Sequence, residues 1–114
     1  MNETKLTLLN ACILTRFGTY TYKPLTLEEA RALVSEFQQE EKPIQSAIGH
    51  QSTAELLTTL LEFPVAANRM EFQQMLDDAA LIFKLNGRPP EGKVLSREEL
   101  EEIGYEFGLL SRLS

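Results

Sequence analysis

The sequence predicts an α+β domain in which a mixed sheet of about five or six strands carries packed helices. Three observations lead there. Leu27, Ala30, Leu33, Val34 and Phe37 recur at helical spacing behind a complete helix-start signal at Thr26. Residues 79–85 (AALIFKL) form a dense apolar run of strand length. Segments of strand and helix character alternate through 114 residues, the size of a single domain with one core.

Residues 6–13 are rich in leucine, interrupted by Asn10, and read as a buried strand running into a loop. Residues 19–22 alternate Thr and Tyr behind the turn residue Gly18, so the two segments are expected to pair like a hairpin. Thr26 is a good N-cap, and Glu29 completes a capping box. That helix fades at Glu40 and Glu41, before Pro43. Residues 44–48 make a short strand that ends at Gly49. Residues 52–61 are helical through Leu56, Leu57, Leu60 and Leu61, and Phe63-Pro64 stops them. Residues 69–75 alternate well enough for a strand, Asp77 and Asp78 read as a turn, and residues 79–85 as a central strand. Two prolines and two glycines make 86–95 a loop. Ser96 then caps a short acidic helix with Glu99 in the capping-box position, Gly104 closes it, and 105–113 end the chain as a strand. Phe83, Tyr105 and Phe107 fall at core-like positions.

The lone cysteine, Cys12, precludes an internal disulfide and suits a reducing cytoplasm. It has no cationic neighbour to activate it, and burial is its expected state. No apolar run approaches the ~20 residues that span a membrane, and the N-terminus lacks the layout of a signal peptide. The net charge is -6 and the pI about 4.8. This argues against tight, non-specific binding to duplex DNA, which needs many basic contacts along the phosphates. A short anionic ligand is a different case, because a few local donors can hold it.

Three constellations could carry chemistry. In Ser46-Ala47-Ile48-Gly49-His50-Gln51-Ser52-Thr53 a strand runs through a glycine turn into a helix. The free amides and dipole of the first helical turn favour an anion there, Gly49 lets a ligand approach, and Ser52 and Thr53 add hydroxyls. His50 can exchange a proton near neutral pH. On spacing alone, simple capping by Ser52 or His50 is the commoner role. The loop Gly87-Arg88-Pro89-Pro90-Glu91-Gly92-Lys93 pairs an arginine suited to phosphate with a carboxylate able to orient a histidine; its plain alternative is a solvated loop. Asn10, with Thr15 and Arg16 nearby, interrupts an apolar segment and, if buried, must find a partner at the strand end or in a ligand site. There is no Walker loop and no dinucleotide fingerprint, and one His with one Cys does not make a zinc site. No metal or cofactor is expected.

Leu9-Asn10-Ala11, the block SAIGHQST (46–53), the pair Asn68-Arg69 and the block GRPPEGKVL (87–95) occur in an order and spacing that resembles the viral anti-CRISPR ring nucleases directed against type III systems. The resemblance covers nearly the whole chain. It implies a homodimer around a mixed sheet that binds cyclic tetra-adenylate and cuts it without metal, in the host cytoplasm if the protein is viral. It makes His50 the catalytic acid, places Arg88 and Glu91 beside it on a closing loop, and makes Asn10, Ser52 and Thr53 ligand contacts. Thr15 matches a further polar position after the Asn. Lys84 departs from the amide that some relatives carry on that strand. Two other readings stand against this one: a DNA-binding accessory protein of a virus or mobile element, and a non-enzymatic protein-interaction module.

Overall fold

A computed structural model describes residues 5–12, 14, 16–70, 74, 78–86 and 96–114. Its elements run β1 (Leu6–Leu9), β2 (Tyr20–Leu25), α1 (Leu27–Gln39), β3 (Ile44–Ser46), α2 (Gln51–Leu61), β4 (Ala79–Leu85), α3 (Arg97–Ile103) and β5 (Tyr105–Arg112). The strands form one five-stranded sheet in the order β2-β5-β4-β1-β3. β1 is parallel to both β3 and β4, while β5 is antiparallel to β4 and β2. The sheet is therefore mixed, as expected. β1, β2, β3 and β4 all point the same way, and their carboxyl ends share one rim.

All three helices pack on one face. Their apolar stripes (Ala30, Val34 and Phe37 of α1; Leu57 and Leu60 of α2; Leu100 of α3) join Leu6, Leu8, Leu81 and Phe83 in the main core. Full burial of each such large side chain contributes about 1.5–3 kcal/mol. Phe83 meets Phe107 and Tyr105 at ring-centroid distances of 5.4 and 6.0 Å. On the opposite face Leu9, Ala80, Ile82 and Leu110 form a second, smaller cluster. β1 and β4 are buried on both faces, which explains their near-continuous apolar sequence.

The capping boxes form as the sequence predicts. Thr26 Oγ1 accepts from Glu29 N at 3.1 Å, and Glu29 Oε1 accepts from Thr26 N at 3.0 Å. Ser96 and Glu99 repeat the exchange at 3.2 and 3.3 Å. The C-terminus of α2 is closed differently. Glu62 turns into the left-handed region (φ 55°), and Arg31 of α1 donates from Nε to the Leu60 carbonyl at 2.7 Å. Arg31→Ala leaves that carbonyl without its charged donor, so a stability loss of about 1.5–3 kcal/mol is expected in urea unfolding. An unchanged midpoint would contradict this.

The sequence expectations need several corrections. β1 and β2 do not form a hairpin: β5 and β4 lie between them. Alternating residues specify a strand but not its partner. β1 stops at Leu9, so Asn10 follows the strand and is exposed; Ile13 lies outside the described residues. β2 extends to Leu25 through Pro24, which an edge strand tolerates because no outer neighbour needs its missing N–H. β3 ends at Ser46 instead of residue 48. Arg69, Met70 and Gln74 are not in a strand; residues 71–73 and 75–77 lie outside the described residues. Asp78 is no exposed turn residue. It is buried, and its Oδ1 accepts from Lys5 N at 3.3 Å. Cys12 is exposed. It lies near enough to Tyr22 that burial, Cys12 and Glu106 together push the Tyr22 phenol upward. Tyr22 covers Gly108 on the second face, where a Cβ on Gly108 would collide with the ring.

Candidate functional site at the carboxyl rim of the sheet

Parallel strands place their carboxyl ends together, and crevices for ligands arise at such ends. Here β1 ends into Asn10, β3 into Ala47-Ile48-Gly49-His50, and β4 into Asn86. Asn10 and the run that carries His50 thus leave the sheet at the same rim, whereas Arg16, expected beside Asn10, lies at the opposite end, where β2 begins, its carbonyl accepting from Tyr20 Oη at 2.9 Å. Asn10, Gly49, His50, Ser52 and Thr53 are described; Thr15, Arg88 and Glu91 lie outside the described residues.

His50 is the N-cap of α2, with extended backbone (φ -121°, ψ 129°), and its exposed side chain makes no capping bond. The first intrahelical bond runs from Ala54 N to the His50 carbonyl at 3.1 Å. The amides of Gln51, Ser52 and Thr53 precede it and have no intrahelical acceptor. The first turns of α1 and α3 carry glutamates, whereas that of α2 carries no acidic residue. The positive end of the α2 dipole is therefore not offset by carboxylates in its own first turn. Ser52 is exposed and Thr53 half-buried. The plain alternative is a cap supplied by Ser52 or His50: His50 does take the N-cap position but its side chain makes no capping bond, and Ser52 lies inside α2.

Gly49 is not in the left-handed region, and a Cβ there would make an ordinary 3.5 Å contact with Arg69. Local backbone strain does not require a glycine at this position. Arg69 Nε donates to the Gly49 carbonyl at 3.2 Å. This sets a guanidinium beside the start of α2, and its terminal nitrogens are further donors. Arg69 is a site residue that sequence periodicity misses. Its only signal is the Asn68-Arg69 pair within the family pattern. Lys84 is exposed near the end of β4 and lies opposite Glu106 in the β5 register. A broad groove of about 860 Å³, lined by Leu14, Phe17, Tyr20 and Arg112 among others, opens where β2 begins, at the other end of the sheet from His50. Among the described residues, no three His, Cys, Asp or Glu side chains converge as a metal set, and no helix is long and apolar enough to cross a membrane.

The STIV B116-like family model matches residues 6–107. The chain belongs to that family. B116 of Sulfolobus turreted icosahedral virus has the same fold, with a TM-score of 0.82 and 29% identity, over 95% of this chain and 99% of its own. The YddF protein of Bacillus subtilis (strain 168) is 35% identical over 109 residues, covering 96% of this chain and 98% of YddF. Protein 26 of Sulfolobus islandicus filamentous virus (isolate Iceland/Hveragerdi) is 39% identical over 88 residues, covering 76% of this chain and 70% of its own. The B116-like fold thus recurs in viruses and in a bacterium. Its rim is the part of this chain that combines a histidine, uncapped helix amides and a fixed guanidinium.

Proposed function

We propose that this B116-like protein is an anti-CRISPR-type ring nuclease that binds cyclic tetra-adenylate and opens it to linear di-adenylates. The observation that carries the reading is His50 itself: an exposed imidazole at an uncapped helix N-terminus, with the Arg69 guanidinium bonded to the adjoining carbonyl. These groups suit a phosphodiester, which takes amide and guanidinium donors on its oxygens and a proton on its leaving oxygen.

In the proposed reaction a ribose 2′-hydroxyl attacks the adjacent phosphorus, releasing its proton to solvent water as the P–O2′ bond forms. The P–O5′ bond breaks, and His50, as imidazolium, gives its proton to the departing 5′-oxygen. The product ends in a 2′,3′-cyclic phosphate. The nucleophile belongs to the substrate, so no metal-activated water is needed. The protein's work is in-line positioning and stabilisation of developing charge. The α2 amides and Arg88 take the phosphorane-like oxygens, Glu91 orients the His50 ring, and Asn10, Ser52 and Thr53 hold the cyclic ligand; Thr15 is left out of this set, because Leu14 and Arg16 on either side of it line the groove at the other end of the sheet. A ring of four identical nucleotides contains a two-fold axis, which matches a homodimer in which each subunit supplies one His50.

The test is incubation of labelled cyclic tetra-adenylate with micromolar protein and EDTA. Cleavage to di-adenylate with a cyclic phosphate end is expected. An intact ring sinks the proposal.

A further inference from the structure

Residues 64–69 have no regular secondary structure, yet they are bonded to α2 and to the chain leaving β3 almost residue by residue. Val65 N donates to Thr58 Oγ1 at 2.9 Å, on the side of α2. Ser46 Oγ donates to the Ala66 carbonyl at 2.7 Å and accepts from Ile48 N at 3.2 Å. Asn68 N donates to the Ile48 carbonyl at 2.7 Å, and Asn68 Nδ2 donates to the Ser46 carbonyl at 2.8 Å. Arg69 Nε closes the series on Gly49.

Most of these bonds fall on residues 46–49, the run that delivers His50. Asn68 holds the carbonyls on either side of Ala47, one with its backbone and one with its side chain. Ser46 still belongs to β3 and Ala47 N donates to the Leu8 carbonyl of β1 at 3.0 Å, but Ile48 and Gly49 lie beyond the ladder, so this double grip sets how the chain leaves β3 and enters α2. Asn68 is exposed. Losing its amide leaves the Ser46 carbonyl within reach of water instead of stranding it in the core.

We infer that Asn68, supported by Ser46, is a positioning residue: it holds residues 46–49 at the pitch that aims His50 at the leaving oxygen. It acts on the chemical step and not on ring affinity. Its kinetic consequence rests on the ring-nuclease reading; the clasp itself does not. Displacement of a catalytic group by about 1 Å is enough to cost ~10²-fold in rate.

The test compares Asn68→Ala and Asn68→Gln with the wild-type protein. Turnover of cyclic tetra-adenylate by Asn68→Ala is expected to fall about 10–100-fold, with partial recovery in Asn68→Gln. Affinity for the intact ring, measured in a His50→Ala background, is expected to stay within about threefold. Amide hydrogen exchange at residues 49–53 is expected to accelerate at least about tenfold, while β4 and β5 keep their protection. Unchanged exchange at 49–53 overturns the clasp whatever the activity. Affinity that falls in step with turnover overturns the assignment to the chemical step. If the wild-type protein leaves the ring intact, the proposed function fails, and the exchange measurement still decides the clasp.

Discussion

His50→Ala is expected to slow cleavage of cyclic tetra-adenylate by about 10²–10⁴-fold, the usual contribution of a positioned general acid. Ring binding should remain measurable, because the α2 amides and Arg69 do not depend on the imidazole. The geometry also limits what else the substitution can do. The His50 side chain is exposed and caps nothing, so its removal opens no cavity and strands no buried donor. Surface changes of this kind usually stay within about 0.5 kcal/mol of the parent stability. Single-turnover cleavage, a binding isotherm and a thermal melt on the same sample separate the cases. Lost turnover with retained binding and an unchanged melt is expected. A melt lowered by many degrees would make His50 a structural residue and remove the reason to call it an acid.

Much of this site is legible in the sequence, because its parts are local. A strand-glycine-helix junction is visible in Gly49, His50 and the apolar spacing of Leu56, Leu57, Leu60 and Leu61. The capping boxes of α1 and α3 are equally local, each a hydroxyl and a glutamate three residues apart. The sequence misleads where long-range pairing decides. Tyr20 and Tyr22 announce a strand, but nothing local in them reveals that the partner is β5, near the far end of the chain. The same blindness hides the clasp. Asn68 and Arg69 follow a proline-broken segment without periodicity, and their partners lie some twenty residues earlier. Asp78 shows the opposite failure: its residue type suggests a turn, whereas it is buried and bonded to the chain just ahead of β1. Free cysteines are usually buried, yet Cys12 lies on the stretch that has already left β1 and is exposed.

The largest loss of stability is expected from Phe83→Ala, about 3–5 kcal/mol, as for other buried phenylalanines cut to alanine. Phe83 is 2% exposed in the middle strand of the sheet, on the face that all three helices cover. Its ring abuts Phe107 and Tyr105, so truncation removes apolar burial and two aromatic contacts at once. The neighbours are held by strand pairing on both sides of β4 and can collapse into the void only in part. Set against the ~5–15 kcal/mol that stabilises an ordinary domain, the loss places the variant near its unfolding threshold. β4 also delivers the chain to the rim, so a ligand that binds only the folded rim should restore stability. At a free concentration of 100 times Kd, linkage returns about 2.7 kcal/mol. Combining Phe83→Ala with His50→Ala keeps the ring uncut during the measurement. Urea unfolding of that double variant is expected to shift upward as cyclic tetra-adenylate is added. A midpoint indifferent to the ring would mean that it does not bind the folded rim, even if the core loss is as large as expected.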